Sequence, residues 1–292
     1  MPRSAVVAVI VAGSTGVAAL LVPRQLRPNA AARLITSLVL ISCGAAVWTL
    51  FLIVGANVVQ LHGVAERLSW CHDLAAHHSG TFTPLGLAAL VAVGLASFSA
   101  IRVGFRQRRE PTQGDDREVA IVASEYPVAY ALPGDPGQIV VSTAMLRSLD
   151  PLEQRVLLAH ERSHLRRRHH RYIRATEFAI AASPFLAPLN ARLRFALERW
   201  ADEDAAAEVG DRAVVACAIA RAALAIQSSP ATSLGMADCA VVERVATMLA
   251  GPSQRSVVLE AAFTGVAIAG AVGLAVSLAL LGHMLPALRI CL

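Results

Sequence analysis

Four long apolar stretches constrain this chain more than any other feature. They run from Ser4 to Val22, from Leu34 to Val59, from Pro84 to Ile101 and from Ala261 to about Leu285. Crossing a bilayer takes about 20 residues of apolar helix, and each stretch approaches that length. Over the whole chain only 16% of residues are charged, and the mean hydropathy is +0.55. Soluble domains carry about a quarter charged residues, so an ordinary soluble enzyme is excluded. A disordered chain and a fibrous repeat are excluded as well. The predicted class is an α-helical integral membrane protein with four transmembrane helices, three before a large polar segment and one after it.

Orientation follows from the arginines, which make up all 26 basic residues. Arg24, Arg27 and Arg33 lie between the first two stretches, and Arg102, Arg106, Arg108 and Arg109 follow the third. The connector from Gln60 to Thr83 has only Arg67, balanced by Glu66 and Asp73. Positive flanks face the cytoplasm, which puts the segment after the third span inside. The chain then divides into a three-span membrane region (1–101), a cytoplasmic domain (102–256), and a fourth span with a short tail (257–292). A net charge of +5 is too small to suggest a nucleic-acid binder, and no direct nucleic-acid partner is expected. Cys43, Cys71, Cys217, Cys239 and Cys291 show no spacing of a disulfide framework or a cysteine zinc site.

Within the polar segment, Val119 to Ala123, Val128 to Leu132 and Ile139 to Ser142 read as three short strands, predicted antiparallel, with Pro133–Gly137 as turn chemistry. A helix should start at Asp150, with Pro151 in the first position and Glu153 completing a near capping box. Further helices are expected from near Asn190 to Gly210, from Asp211 to Gln227, and from about Asp238 to Ala250. The apolar stretch Ala175–Leu189, with Pro184 and Pro188, is short for a span and reads as packed against the domain or lying at the membrane interface.

The first of these helices carries His160-Glu161-Arg162-Ser163-His164. Histidines at i and i+4 share a helical face, so both imidazoles reach one metal ion. Zinc suits imidazole and carboxylate donors, and a catalytic site leaves its fourth position to water. Glu161 is then placed to take that water's proton. The next helix offers Glu198 and Asp202 on one face, 34 residues beyond His164. Glu198 is the predicted third ligand, and Asp202 is predicted to hold the second N–H of a ligand histidine. Glu203 and Asp204 point to other faces. One of His169, His170 or Tyr172 could stabilise an oxyanion, and the strand Ile139–Ser142 could hold substrate by strand addition.

The H-E-x-x-H and E-x-x-x-D pair, after a Pro-Gly turn and an apolar strand, resembles the membrane gluzincin peptidases. The order of three spans, zinc domain and one span is similar to the BlaR/MecR type, whereas HtpX-like proteins place two spans on each side. Ala129–Gly134, Ile139–Ser142 and Glu243-Arg244-Val245 also resemble that branch. The resemblance implies one Zn²⁺ held by His160, His164 and Glu198, with Glu161 as general base and Asp202 behind the ligands. It implies a multi-pass metalloendopeptidase of the bacterial cytoplasmic membrane whose cytoplasmic site cuts a protein, for example a BlaI-type repressor. Alternatives are an HtpX-like quality-control protease and a zinc-containing receptor without proteolytic activity. The sequence ends seven residues after Leu285, so the penicillin-binding sensor of that branch is expected to be missing.

Two secondary features complete the reading. Arg162, Arg166, Arg167, Arg168, Arg171 and Arg174 form a basic run, read as a solvated face or a contact with anionic lipid headgroups. His62, His72, His77 and His78 beside Cys71 and Asp73 read as ordinary loop residues.

Overall fold

The computed structural model describes residues 2–24, 26–59, 83–109, 118–227, 237–251 and 256–282. The histidine-bearing connector from 60 to 82, His283 and Cys291 lie outside these residues. Helices dominate. Three of the apolar stretches form helices long and apolar enough to cross a membrane: α2 (Pro28–Val59), α3 (Pro84–Arg109) and α10 (Val257–Gly282). The first stretch forms α1 (Pro2–Leu21), whose apolar run is shorter.

Small residues set how closely these helices approach, as expected where packing rather than water drives association. A Cβ at Gly270 of α10 would stand 2.6 Å from Thr15 Cγ2 of α1 and 3.2 Å from Ile41 Cγ2 of α2. Two polar contacts cross between these helices: Trp48 Nε1–H donates to Ser277 Oγ at 3.0 Å, and Ser42 Oγ donates to the carbonyl of Ala12 at 2.7 Å. Asn57, near the end of α2, accepts from the backbone and hydroxyl of Thr83, just before α3.

Beyond α3 come β1 (Val119–Val122), β2 (Ala129–Leu132) and β3 (Gln138–Ser142). Their order is β1-β3-β2, with β3 antiparallel to β2 but parallel to β1. The expectation of an all-antiparallel sheet is therefore corrected. β3 is buried along almost its whole length, with Ile139, Val140 and Val141 as its apolar middle, and it is the central strand of the sheet. Strand addition to Ile139–Ser142 is corrected for the same reason: both edges of β3 already hold partners. Among the described residues the free edges of this sheet belong to β1 and β2.

Ser142 caps the short α4 (Thr143–Ser148), and α5 follows (Pro151–Arg166). The predicted capping box is present: Asp150 accepts from Leu152 and Glu153 N–H, and Glu153 accepts from Asp150 N–H at 3.0 Å. A turn at Arg168 leads into α6 (His169–Ala182), and a 3₁₀ turn (Pro184–Leu186) leads into α7 (Pro188–Val209). Gly210, at φ 82°, closes α7 in the left-handed conformation that glycine adopts freely. α8 (Arg212–Gln227) and α9 (Ala237–Ala250) complete the domain.

Ala175–Leu189 is thus the end of α6, the 3₁₀ turn and the start of α7. Leu186, Leu189, Leu193 and Leu197 share one buried cluster with Ala19, Val22, Leu26, Ile35 and Leu38 of α1, α2 and their connector. Arg192 donates to the carbonyls of Leu20 and Val22, and Arg199 to that of Arg24. Leu20 is in the last turn of α1, whose carbonyls lack intrahelical donors, and Val22 and Arg24 lie in the connector that follows. A second cluster joins Val156 and Ala159 of α5 to Ala205 and Ala206 of α7, Val215 and Ile219 of α8 and Met248 of α9. α7 is therefore held between the membrane helices and the rest of the domain.

Candidate metal centre

α5 and α7 cross where His160 and His164 meet Glu198, and ligand atoms of these three lie within 4.8 Å of one another. His160 Nε2 is 3.1 Å from His164 Nε2 and 3.4 Å from Glu198 Oε2, and His164 Nε2 is 3.6 Å from Glu198 Oε1. Two donors each about 2.0–2.1 Å from a tetrahedral zinc would stand about 3.3 Å apart. The donor types and their separations fit such an ion.

Each imidazole is held from behind through its other nitrogen. His160 Nδ1 is 3.0 Å from Asp202 Oδ1. Asp202 is buried and accepts two hydrogen bonds of 2.7 Å from Arg244 of α9. A third nitrogen of Arg244 lies 3.1 Å from Glu198 Oε2. On the other side, His164 Nδ1 is 2.8 Å from Nδ1 of His169. His169 is buried against Trp200, with ring centroids 5.1 Å apart. It gets there because Arg168 adopts φ 54°, a left-handed conformation that costs a non-glycine residue about 1–2 kcal/mol. The chain reverses at that point and folds the first residue of α6 under His164.

These surroundings act on protonation in opposite directions. Burial works against charge on His160, but hydrogen bonds and negative charge from Asp202 and Glu198 outweigh it and lift the imidazole to about 10. His164 is pushed down to about 4, first by burial and then by the positive charge of His160. Burial opposes ionisation of Glu198, yet the His160 hydrogen bond and the charges of His160 and Arg244 bring it far below the usual carboxylate range. Glu161 is buried, and desolvation raises it above the usual carboxylate value despite the His160 charge.

His160, Glu161, Glu198, Asp202 and Arg244 open onto one cavity of about 270 Å³. The rest of its lining is largely apolar and includes Val156 and Leu157 of α5, Ala218, Ile219, Ala222 and Ile226 of α8, and Met145 of α4. Glu203 and Asp204, the adjacent acids of α7, are engaged elsewhere as expected: Glu203 pairs with Arg212, and Asp204 with Ser163, Arg166 and Arg167. Neither His169, His170 nor Tyr172 is among the residues that line the cavity. The cationic side chain that does line it is Arg244. Much of the basic run is also spent internally, since Arg162 binds Glu118 and Glu208 while Arg166 and Arg167 bind Asp204.

A family model described as peptidase family M48 matches residues 102–280, and the chain belongs to that family. It is a membrane-associated zinc metallopeptidase by that membership, with a protein as its substrate class. No curated protein and no solved structure matches it.

Proposed function

We propose that this chain is a zinc metalloendopeptidase of the bacterial cytoplasmic membrane, with four spans and a cytoplasmic active site. In this reading one ion is held by His160, His164 and Glu198. The observation that carries the reading is the meeting of those three side chains at ligand spacing in a chain of the M48 family. Bound there, zinc supplies Lewis-acid polarisation of the scissile carbonyl and makes a water more acidic. Glu161 lines the same cavity, takes the proton from the attacking water and passes it to the leaving amine. Its raised pKa suits both halves of that task. Asp202, fixed by Arg244, holds the proton of His160 on Nδ1 and leaves Nε2 free for the ion.

The substrate is a protein that meets the site close to the membrane. The free edge of β2 can take an extended segment by backbone pairing, and the apolar wall from α8 can take an aliphatic side chain next to the scissile bond. A regulatory cut, of the kind that inactivates a BlaI-type repressor, is the role we assign. The arrangement of three apolar helices before the domain and one after it supports this branch of the resemblance.

Metal analysis of the purified protein, together with comparison of cytoplasmic protein termini between the wild type and a Glu161→Gln strain, tests the reading. One or a few termini lost in the variant, with stoichiometric zinc retained, is the expected result. A broad set of lost termini from misfolded membrane proteins would point instead to quality control. Unchanged termini with an unchanged phenotype would leave a receptor.

A further inference from the structure

We infer that His169 is a positioning residue: its Nδ1 accepts the Nδ1–H of His164 and so keeps the Nε2 lone pair of His164 turned toward the metal. This inference rests on the zinc reading above. A contact of 2.8 Å between the two Nδ1 atoms holds one proton, and that proton belongs to either ring. If His169 donated it, His164 would carry its own proton on Nε2. That atom faces His160 Nε2 and Glu198 Oε1, and protonated it can ligate nothing. Only with the proton on Nδ1 of His164 does that ring offer the metal a lone pair from Nε2.

The surroundings of His169 favour this arrangement. With Nδ1 accepting, its own proton sits on Nε2, a buried atom with no hydrogen-bond partner. Trp200 stands beside the ring. An indole face accepts an N–H weakly and offers nothing to a bare lone pair. Asp204, a nearby acid on α7, bonds to Ser163 and Arg167. His169 therefore does for His164 what Asp202 does for His160, but without a charge.

The test is zinc affinity of the full-length protein in detergent, read by competition with a chromophoric chelator, alongside thermal unfolding of the metal-free forms. His169→Leu should weaken zinc binding about 10–100-fold. His169→Asn, whose carboxamide oxygen can take the same N–H, should recover binding to within a few-fold of the wild type. A folded His169→Leu protein that binds zinc within about twofold of the wild type overturns the inference. So does a His169→Asn variant that folds yet binds no better than His169→Leu. If His169→Leu does not fold, ¹⁵N-histidine NMR of the zinc-loaded wild type decides: a proton on His164 Nδ1 upholds the inference, and one on His169 Nδ1 overturns it. Failure of the underlying reading looks different, because the wild type itself would then lack stoichiometric zinc, or would keep it after His160→Ala and Glu198→Ala.

Discussion

The two imidazoles of the cluster stand one turn apart on α5 and face the same carboxylate, yet they are supported by opposite means. Behind His160 lies a buried chain of charges, Asp202 and then Arg244, which draws a proton onto the ring. Behind His164 lies a neutral imidazole against an indole, and burial keeps the ring uncharged. One side ties the site to α9 electrostatically, and the other ties it to the α5–α6 turn by packing. The charged side orients strongly but must release a proton before metal can enter, whereas the neutral side is ready at pH 7. A carboxylate behind both rings would load the metal-free site with a second proton.

The largest expected effect leaves both supports intact. Glu161→Gln should lower kcat by about 10²–10⁴-fold, the usual worth of a general base, while zinc content stays stoichiometric. Peptide turnover and metal analysis of the same sample check this. Loss of metal in that variant would place Glu161 in the ligand set and remove the basis for treating the two histidines as the paired elements.

Breaking the charged side comes next. Asp202→Ala should cost about 3–5 kcal/mol in unfolding free energy, because it leaves two nitrogens of the buried Arg244 guanidinium without their acceptor, with only Glu198 still beside it. Arg244→Met combined with Asp202→Ala should recover a large part of that loss, since the uncompensated charge is gone. Denaturant unfolding of metal-free proteins reads both. Equal losses in the single and double variants would mean that Asp202 acts mainly through His160.

The proton difference has its own signature. In the metal-free protein at pH 7, His160, lifted to about 10, is protonated, while His164, lowered to about 4, is not. Zinc must therefore displace one proton. Apparent affinity should rise about tenfold per pH unit between about pH 5 and pH 9 and level off above about 10. Calorimetry in buffers of different ionisation enthalpy should find close to one proton released at pH 7, and fewer in Asp202→Asn, where the pull on His160 is weakened. Release of two protons would contradict a neutral His164.

How far this arrangement could be read in advance follows from what each part depends on. The pairs His160 with His164 and Glu198 with Asp202 were legible because helical periodicity puts i and i+4 residues on one face, and the meeting of the two pairs was expected from metal-ligand chemistry and the family resemblance. The capping box at Asp150 and the glycine stop at Gly210 are equally local signals, and both appear in the structure. Arg244 escaped a role because its contact with Asp202 spans 42 residues and exists only through the packing of α9 on α7 and α8. His169 was legible only as one of three candidates for an oxyanion group and not as a support for His164, since a left-handed Arg168 is not a local preference. The direction of β1 was missed, although the buried, largely apolar run of β3 already marks a central strand.

The smallest effect concerns a contact on the far side of α5, which helps to fix how both histidines meet α7. Asp204 shares a helix with Glu198 and Asp202 but accepts from Ser163 at 2.7 Å and from Arg166 and Arg167. Burial works against its charge, and the hydrogen bonds from Arg167, Ser163 and Arg166 outweigh this and hold it below the usual aspartate value. A carboxylate depressed in the folded state adds stability above its unfolded pKa, near 3.9, and loses it as pH falls through the folded value. Asp204→Asn should therefore destabilise the metal-free protein by about 1–3 kcal/mol at pH 7, and the difference from wild type should shrink as the pH is taken below about 4. Thermal unfolding across that range checks the sign. If the gap stays constant down to pH 3, the contact works through shape and hydrogen bonding alone, and the positions of His160 and His164 relative to Glu198 are set by the two apolar clusters that flank α7.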